Sequence, residues 1–365
     1  MNRVSLHTPL PENISIAFAK LYQKYENTIV CIPKIKNIRH AFVTHEGLVL
    51  KNGLLVNGCT FNLRGNEDNT FYYTFWRKAI EQFLVSKYGK SLPSIHLKGQ
   101  QNYLLIHSKW FNYSFWVNSF LPRLIQAEEA GLLKSSKLIV PEGWKKIPYV
   151  LDSLKAFNCE FEIIPEGYHV FVDNLIMPET RQWTASFFPK QIQNTRERLL
   201  KAASQRVSDN DSGFTRIYLT RAKRGVRCVE NEEEVVELVK KYDFVPVMFE
   251  DFTIWEQISL MNQATHFVSI HGAGFSNVMF MKPEAKVLEL INLPYAQQEY
   301  TFPFWKLANA AQLNYYSQFC PAKNFGDSLL SYGKNNNGKE LNYLVNKNIV
   351  VDIVMLEKNL NLMIN

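Results

Sequence analysis

Cysteine is scarce in this chain, and it is scattered. The 365 residues contain five cysteines, at Cys31, Cys59, Cys159, Cys228 and Cys320. They form no Cys-x-x-Cys pair and no Cys/His cluster, so the spacing argues against a zinc site and a disulfide framework. Dispersed thiols in odd number are typical of a reducing compartment, and we expect a cytoplasmic protein without a bound metal or cofactor.

Long apolar runs are also absent from the sequence. No segment reaches the roughly 18 apolar residues that a membrane-spanning helix needs. The segment from Met1 to Lys20 carries Pro9, Pro11 and Glu12 where a signal peptide would have its apolar core. We therefore expect any membrane contact to be peripheral, at the inner face.

Apolar residues make up 46% of the chain and aromatic residues 13%, which is typical of a folded globular protein. This length exceeds the roughly 250–300 residues that a single core serves, and predicts two domains. The net charge of +7 suits an anionic ligand. No recognised nucleic-acid motif accompanies the basic residues, so we do not expect a nucleic-acid partner.

Strand and helix patterns alternate in the second half and predict an α/β fold with a doubly wound parallel sheet. We place one domain at residues 1–205, with irregular α/β structure, and another at residues 206–330. Residues 331–365 form a tail and helix expected to pack back on the first domain. The polar run Ser208 to Gly213 is the best linker.

Local signals in several segments predict particular elements. Residues 70–73 have strand composition, residues 115–131 have helical spacing, and residues 169–178 look like two short strands. Asn231 followed by Glu234 predicts a capping box at the start of a helix.

The most informative segment is the glycine turn, His271 to Asn277, with the sequence His-Gly-Ala-Gly-Phe-Ser-Asn. It follows an apolar strand at residues 266–270 and precedes residues that can form a helix. Glycine allows a ligand to approach the backbone, and the first N–H groups of a helix attract anions. His271, Gly272, Ala273 and Gly274 are therefore candidate phosphate-binding residues.

A second basic element precedes the turn. Residues 216–227 contain no acidic side chain and carry five cations: Arg216, Arg221, Lys223, Arg224 and Arg227. Residues 221–227 follow a predicted strand, and arginine matches phosphate oxygens with two parallel hydrogen bonds. The loop and the turn could hold a diphosphate between them; a solvated basic loop is the alternative.

Three further polar side chains lie in or near the predicted site. Glu289 ends a strand and is a candidate for ribose hydroxyls, although a salt-bridged or solvated glutamate is as common. His271 could stabilise developing phosphate charge or satisfy a structural role. Asn277 could contact the ligand, but we favour a structural role in fixing the turn.

Aromatic residues are dense in the first half, from Trp110 to Trp116, and are followed by Leu121-Pro122-Arg123. Aromatic platforms suit sugar rings. Core packing is the more common fate of such side chains.

Taken together, these pieces resemble glycosyltransferase family 61, over roughly residues 100–320 and most clearly from Ile217 to Leu290. The resemblance implies a GT-B-like fold with two Rossmann-like domains facing a central cleft. It also implies an inverting transferase that uses a nucleotide sugar, commonly UDP-linked, and needs no metal. Its acceptor would be a glycan or lipid-linked glycan in bacterial surface polysaccharide synthesis.

The resemblance also implies site residues. Arg221 and either Arg224 or Arg227 would hold the donor phosphates, and the glycine turn would complete the site. Residues 1–205 would form the acceptor-side domain and residues 206–330 the donor domain. The acceptor-side cleft would then include Asn112, Trp116 and Arg123.

The chain departs from the family pattern at the position of its usual histidine, which is Phe115 here. The following acidic position is Asn118 or Ser119. Neither phenylalanine nor asparagine can accept a proton from a hydroxyl at neutral pH. Candidate bases from elsewhere are His107, Glu142, Glu250 and Asp251. The alternative is a catalytically silent relative that binds a nucleotide sugar or a partner protein.

Overall fold

Two sheets organise the protein, one in each of two units. The computed structural model describes residues 3–59, 70–88, 92–108, 111–180, 187–207, 213, 215–221, 225–296, 302–322 and 346–365. Unit 1 comprises Met1–Val4 and Val30–Arg198, and unit 2 comprises Ser5–Ile29 and Leu199–Asn365. The mixed α/β class predicted from the sequence is confirmed.

Strands are numbered in chain order. They are β1 (Arg3–His7), β2 (Asn27–Cys31), β3 (Ile35–Val43), β4 (Val49–Lys51), β5 (Leu54–Leu55), β6 (Ser94–Leu97), β7 (Asn102–Leu104), β8 (Ser136–Pro141), β9 (Glu160–Ile164), β10 (His169–Pro178), β11 (Arg216–Leu219), β12 (Val245–Val247), β13 (His266–Ile270), β14 (Lys286–Asn292) and β15 (Asn314–Cys320). β1 and β2 form a separate two-stranded sheet.

The α-helices are numbered in the same way. They are α1 (Ile16–Gln23), α2 (Thr70–Tyr88), α3 (Tyr113–Phe115), α4 (Leu121–Glu129), α5 (Pro148–Lys155), α6 (Pro189–Ser204), α7 (Glu232–Lys241), α8 (Ile254–Gln263), α9 (Leu293–Ala296), α10 (Pro303–Ala310) and α11 (Ile353–Ile364). No helix in the described part of the chain is both long and apolar enough to cross a membrane.

Unit 1 is built on a mixed sheet of eight strands in the order β5-β4-β3-β10-β7-β8-β9, with β6 also paired to β10. β10 runs antiparallel to β3 and parallel to β6 and β7. Two local predictions were wrong. Residues 169–178 form one continuous strand because β3 pairs along nearly its whole length. Residues 70–73 open helix α2 instead of forming a strand.

Unit 2 is built on a parallel sheet of five strands in the order β12-β11-β13-β14-β15. Apart from its first residue, β14 is buried along its length, as expected of a strand covered on both faces. The chain goes from β11 outward to β12, returns to β13 on the other side of β11, and continues to β14 and β15. This is a doubly wound order whose switch point lies between β11 and β13.

The ends of the chain contribute to unit 2, which differs from the predicted domain limits. Trp305 Nε1 donates to the Pro9 carbonyl over 2.7 Å, and Tyr22 stacks on Phe302 with ring centroids 4.2 Å apart. Leu356 and Leu360 of α11 are fully buried in the core of this unit. The closing helix is therefore part of unit 2, and the prediction that it packs on the first domain was wrong.

Helix starts also differ from expectation. Asn231 makes no side-chain cap to α7; its amide pairs with both backbone groups of Val351, over 2.9 Å each. A capping box instead opens α8, between Thr253 and Glu256. The helix predicted over residues 115–131 is α3, a π-helix from Trp116 to Phe120, and α4 in succession.

Candidate functional site

The switch point of unit 2 brings together the two sequence elements predicted to bind phosphate. β11 and β13 are hydrogen-bonded neighbours, with Leu219 opposite Ser269. The Ser269 hydroxyl donates to the Leu219 carbonyl over 3.0 Å and ties the carboxyl ends of the two strands. In open α/β sheets, ligands bind at this position, beyond the carboxyl ends of the strands.

The glycine turn leaves β13 and becomes a 3-10 helix from Ala273 to Phe280. The His271 N–H donates to the Leu290 carbonyl over 2.9 Å, which anchors the turn to β14. Gly274 has no room for a side chain, because a Cβ there would lie 2.7 Å from Leu219 Cδ2. The first N–H groups of a helix lack partners inside it, so this start suits an anion.

Arg221 lies directly against the glycine turn. A Cβ built on Gly272 would overlap Arg221 Nη1, so the absence of a side chain at this position makes room for the guanidinium. Arg221 is partly exposed, and its carbonyl accepts from Cys228 Sγ over 3.3 Å. The arginine loop and the glycine turn therefore meet, as the sequence predicts.

The remaining loop arginines have different positions. Arg224 lies outside the described residues. Arg227 has a left-handed backbone, with φ of 54°, and its N–H donates to the Asn346 carbonyl over 3.4 Å. The loop continues along the same segment, where Cys228 N–H donates to Asn348 Oδ1 over 3.0 Å. Arg227 thus lies beside residues 346–349, and its phosphate role stays a prediction.

His271 and Glu289 form a buried pair at the carboxyl ends of β13 and β14. His271 Nδ1 is hydrogen-bonded to Glu289 Oε1, and the Tyr315 hydroxyl donates to Glu289 Oε2 over 2.5 Å. Glu289 is only 2% exposed. Both carboxylate oxygens thus accept hydrogen bonds from side chains of the protein. The geometry therefore favours a role for Glu289 in orienting His271, and not the ribose contact predicted from the sequence.

Asn277 makes a buried contact between the turn and α8. It is fully buried, and its amide donates to Gln257 Oε1 over 3.1 Å. Gln257 in turn donates to the carbonyls of Phe249 and Phe252. This chain of hydrogen bonds connects the 3-10 helix to the loop after β12, and so holds the shape of the turn.

The residues predicted to line the acceptor side have structural roles in unit 1. Asn112 caps α3, accepting from the Phe115 N–H over 3.0 Å. Trp116 is fully buried and packs edge-on against Trp144, with ring centroids 5.1 Å apart. This burial leaves Trp116 no surface for an acceptor, so the predicted contact does not fit this structure.

Arg123 is also buried, with 1% of its surface exposed. Its guanidinium donates to the carbonyls of Pro178, Leu105, Ile106 and His107. Burial lowers the pKa of Arg123 to about 9. The side chain therefore holds backbone segments of unit 1 together, and the predicted acceptor contact does not fit it either.

The candidate bases lie in contrasting environments. His107 is 5% exposed, and burial, with the nearby charges of Arg123 and His45, lowers its pKa to about 3. Glu142 is exposed at the end of β8. Glu250 and Asp251 are exposed in the turn after β12, at the same edge of the unit 2 sheet as Arg221.

Tyr315 and Gln257 are the site residues that the sequence did not reveal. Tyr315 and Ser317 occupy alternate positions of β15, and Ser317 lies opposite Glu289 in register. The sequence feature that could have indicated Tyr315 is the alternation of hydroxyl side chains on a strand next to the buried Glu289. Gln257 lies within α8 and carried no such signal.

The doubly wound sheet and the arginine–glycine contact at its switch point define a candidate anion site in the α/β unit. Residues 113–288 match the family model described as Glycosyltransferase 61. This segment, just under half of the chain, is therefore similar to glycosyltransferase family 61, as the sequence motifs indicated. No curated protein matches the chain significantly.

Proposed function

We propose that the protein is an inverting glycosyltransferase that takes a sugar from a UDP-linked nucleotide-sugar donor and transfers it to a glycan or lipid-linked glycan acceptor. The match to the glycosyltransferase 61 family model supports sugar transfer as the reaction class. The proposal extends this to a GT-B-like fold and to surface polysaccharide synthesis in the bacterial cytoplasm.

The observation that carries the donor proposal is the contact between Arg221 and Gly272 at the switch point. A diphosphate bound there would accept hydrogen bonds from the guanidinium and from the N–H groups that open the 3-10 helix. Charge-assisted hydrogen bonds of this kind are about twice as strong as neutral ones. They would also stabilise the negative charge that develops on the leaving diphosphate.

In the proposed reaction, an acceptor oxygen forms a bond to the sugar carbon from the face opposite the diphosphate. The bond from that carbon to the diphosphate oxygen breaks, and its electron pair leaves with the diphosphate. The acceptor proton passes to a base. Glu250 and Asp251 fit this role best among the candidates, because both are exposed at the donor edge of unit 2.

A catalytically silent nucleotide-sugar binder is the second candidate. Phe115 replaces the histidine usual in the family, and Asn118 is buried, with its amide donating to Ser114 Oγ over 3.3 Å. His107 is a weak base at neutral pH because its pKa is about 3. This candidate predicts donor binding without donor consumption, whatever the acceptor.

Calorimetric titration with UDP, and with a panel of UDP-, GDP- and CMP-linked sugars, tests the donor site. We expect UDP binding that Arg221→Ala weakens about 10- to 100-fold, since a charged hydrogen bond contributes about 1.5–3 kcal/mol. Arg216→Ala is the matched control: it removes the same charge from the opposite end of β11, where Arg216 bonds the Tyr242 carbonyl. Failure of every nucleotide to bind, or equal losses in both variants, would overturn the proposal.

A further inference from the structure

A buried carboxylate connects the glycine turn to the last strand of the unit 2 sheet. Glu289 on β14 lies between His271, which follows β13, and Tyr315 on β15. The two neighbours approach different carboxylate oxygens. Glu289 is 2% exposed and Tyr315 is 5% exposed, so water contributes little to either group.

The chemistry of Tyr315 fixes the direction of its hydrogen bond. Burial and the negative charge of Glu289 raise the pKa of Tyr315 well above its usual range. The phenol therefore keeps its proton and donates it to Oε2. An ionised carboxylate only accepts hydrogen bonds, so the bond at Oε1 requires a proton on His271 Nδ1.

With the Nδ1 proton directed to Glu289, Nε2 is the nitrogen on the opposite side of the imidazole. The ring is also held by Phe304, whose centroid lies 4.9 Å away. The His271 side chain is 11% exposed, so a small part of it is accessible to solvent. Carboxylate partners of this kind select the tautomer and the orientation of a histidine.

We propose that Glu289 and Tyr315 are positioning residues that hold His271 with Nδ1 protonated and Nε2 directed to the phosphate side of the glycine turn. The inference rests on the proposed donor site and deepens it. When both ring nitrogens carry protons, an imidazole donates two hydrogen bonds. Nε2–H would then donate a hydrogen bond to a phosphate oxygen.

Two-bond ¹H–¹⁵N spectra of protein labelled at histidine read the tautomer directly. The chain has eight histidines, and loss of one signal set in His271→Gln assigns the relevant one. We expect a protonated Nδ1 in the unmodified protein. In Glu289→Gln the amide can donate to Nδ1, so the proton should move to Nε2. An unchanged pattern in folded Glu289→Gln would overturn the proposal.

Tyr315→Phe provides a milder test that removes one hydroxyl and keeps the ring. Tyr316→Phe is its matched control on the same strand, since Tyr316 lies in the separate core of α7 and α11. We expect Tyr315→Phe to shift the His271 Nδ1 signal and to weaken UDP binding about three- to tenfold, the lower range for one supporting hydrogen bond. Tyr316→Phe should change neither, and equal effects of the two variants would contradict the proposal.

The two readouts separate the inference from the function on which it rests. The tautomer measurement needs no ligand. If the His271 tautomer changes in Glu289→Gln but the unmodified protein binds no nucleotide, only the proposed donor site is overturned. If the protein binds UDP but the His271 tautomer is the same in Glu289→Gln, only the positioning role is overturned.

Discussion

The guanidinium of Arg221 occupies the space that a side chain on Gly272 would need. Gly272 has an extended backbone, with φ of 173°, a conformation open to any residue. The backbone conformation therefore does not require glycine at this position. Glycine is required because a side chain here would displace the neighbouring Arg221 guanidinium. Two loops that follow adjacent parallel strands are fitted to each other at the point where the sheet order reverses.

Gly272→Ala should therefore impair donor binding more than folding. The new methyl group would displace the Arg221 guanidinium from the turn, and we expect UDP affinity to fall about tenfold or more, as for loss of a charged hydrogen bond. Calorimetry measures the affinity and thermal unfolding measures the stability. Gly143→Ala is the control, because a Cβ there has no atom within 4 Å. Unchanged UDP affinity in Gly272→Ala would show that the contact does not serve the ligand.

Arg123→Met should destabilise unit 1. It would leave the buried carbonyls of Pro178, Leu105, Ile106 and His107 without their donor. The cost should be about 3–5 kcal/mol, as for breaking other buried charged networks, and urea denaturation measures it. Arg77→Met removes an exposed arginine from α2 and should leave stability unchanged. A stable Arg123→Met protein with impaired sugar transfer would instead restore the acceptor-side role.

Two buried histidines should make stability fall in mild acid. Burial is the first cause that lowers the pKa of His107 to about 3 and that of His169 to about 4, against 6.5 for an ordinary imidazole. At pH values between the lowered pKa of each histidine and 6.5, the unfolded chain binds more protons than the folded chain. Stability therefore decreases as pH falls from 6.5 toward 4, by up to about 1.4 kcal/mol per pH unit for each histidine.

His107→Gln isolates one of these contributions. Urea denaturation at several pH values between 7.5 and 4.5 should give a shallower loss of stability in the variant than in the unmodified protein. The matched control is His40→Gln, since His40 is exposed and pairs only at the surface with Asp173. Parallel curves for His107→Gln and the unmodified protein would refute the assignment.

Donor binding should not depend on a divalent metal. The proposed site neutralises the diphosphate with Arg221 and with the N–H groups of the 3-10 helix. We expect UDP to bind in the presence of EDTA and in the presence of added Mg²⁺ or Mn²⁺ with affinities that agree within about twofold, or a few tenths of a kcal/mol. A metal-dependent gain of tenfold or more would assign part of the charge neutralisation to an ion.

Sequence patterns predicted the core of unit 2 well because its signals are local. The apolar run at His266–Ile270 is β13 as expected, and the order of strands and helices placed Arg221 and the glycine turn at one edge. Features that depend on distant partners were missed. Asn231 looks like a helix cap, but it bonds Val351, and only the folded chain brings these two residues together.

The same reason explains the errors within the candidate site. Trp116 and Arg123 carry motifs that resemble an acceptor site, yet their burial depends on Trp144 and on the ends of β7 and β10. Glu289 was a candidate for ribose because it ends a strand near the predicted phosphate site, while its partner Tyr315 lies 26 residues further along the chain. Spacing along the chain does not reveal which neighbour a buried carboxylate takes.

The place of Ser5–Ile29 in unit 2 has a consequence for synthesis of the protein. This segment is synthesised well before Phe302 and Trp305, against which Tyr22 packs. At 5–20 residues per second, the interval between Ile29 and Phe302 is on the order of 15–55 s. Val30–Arg198 is complete before then, so this part of unit 1 can fold before the two segments that form unit 2 meet.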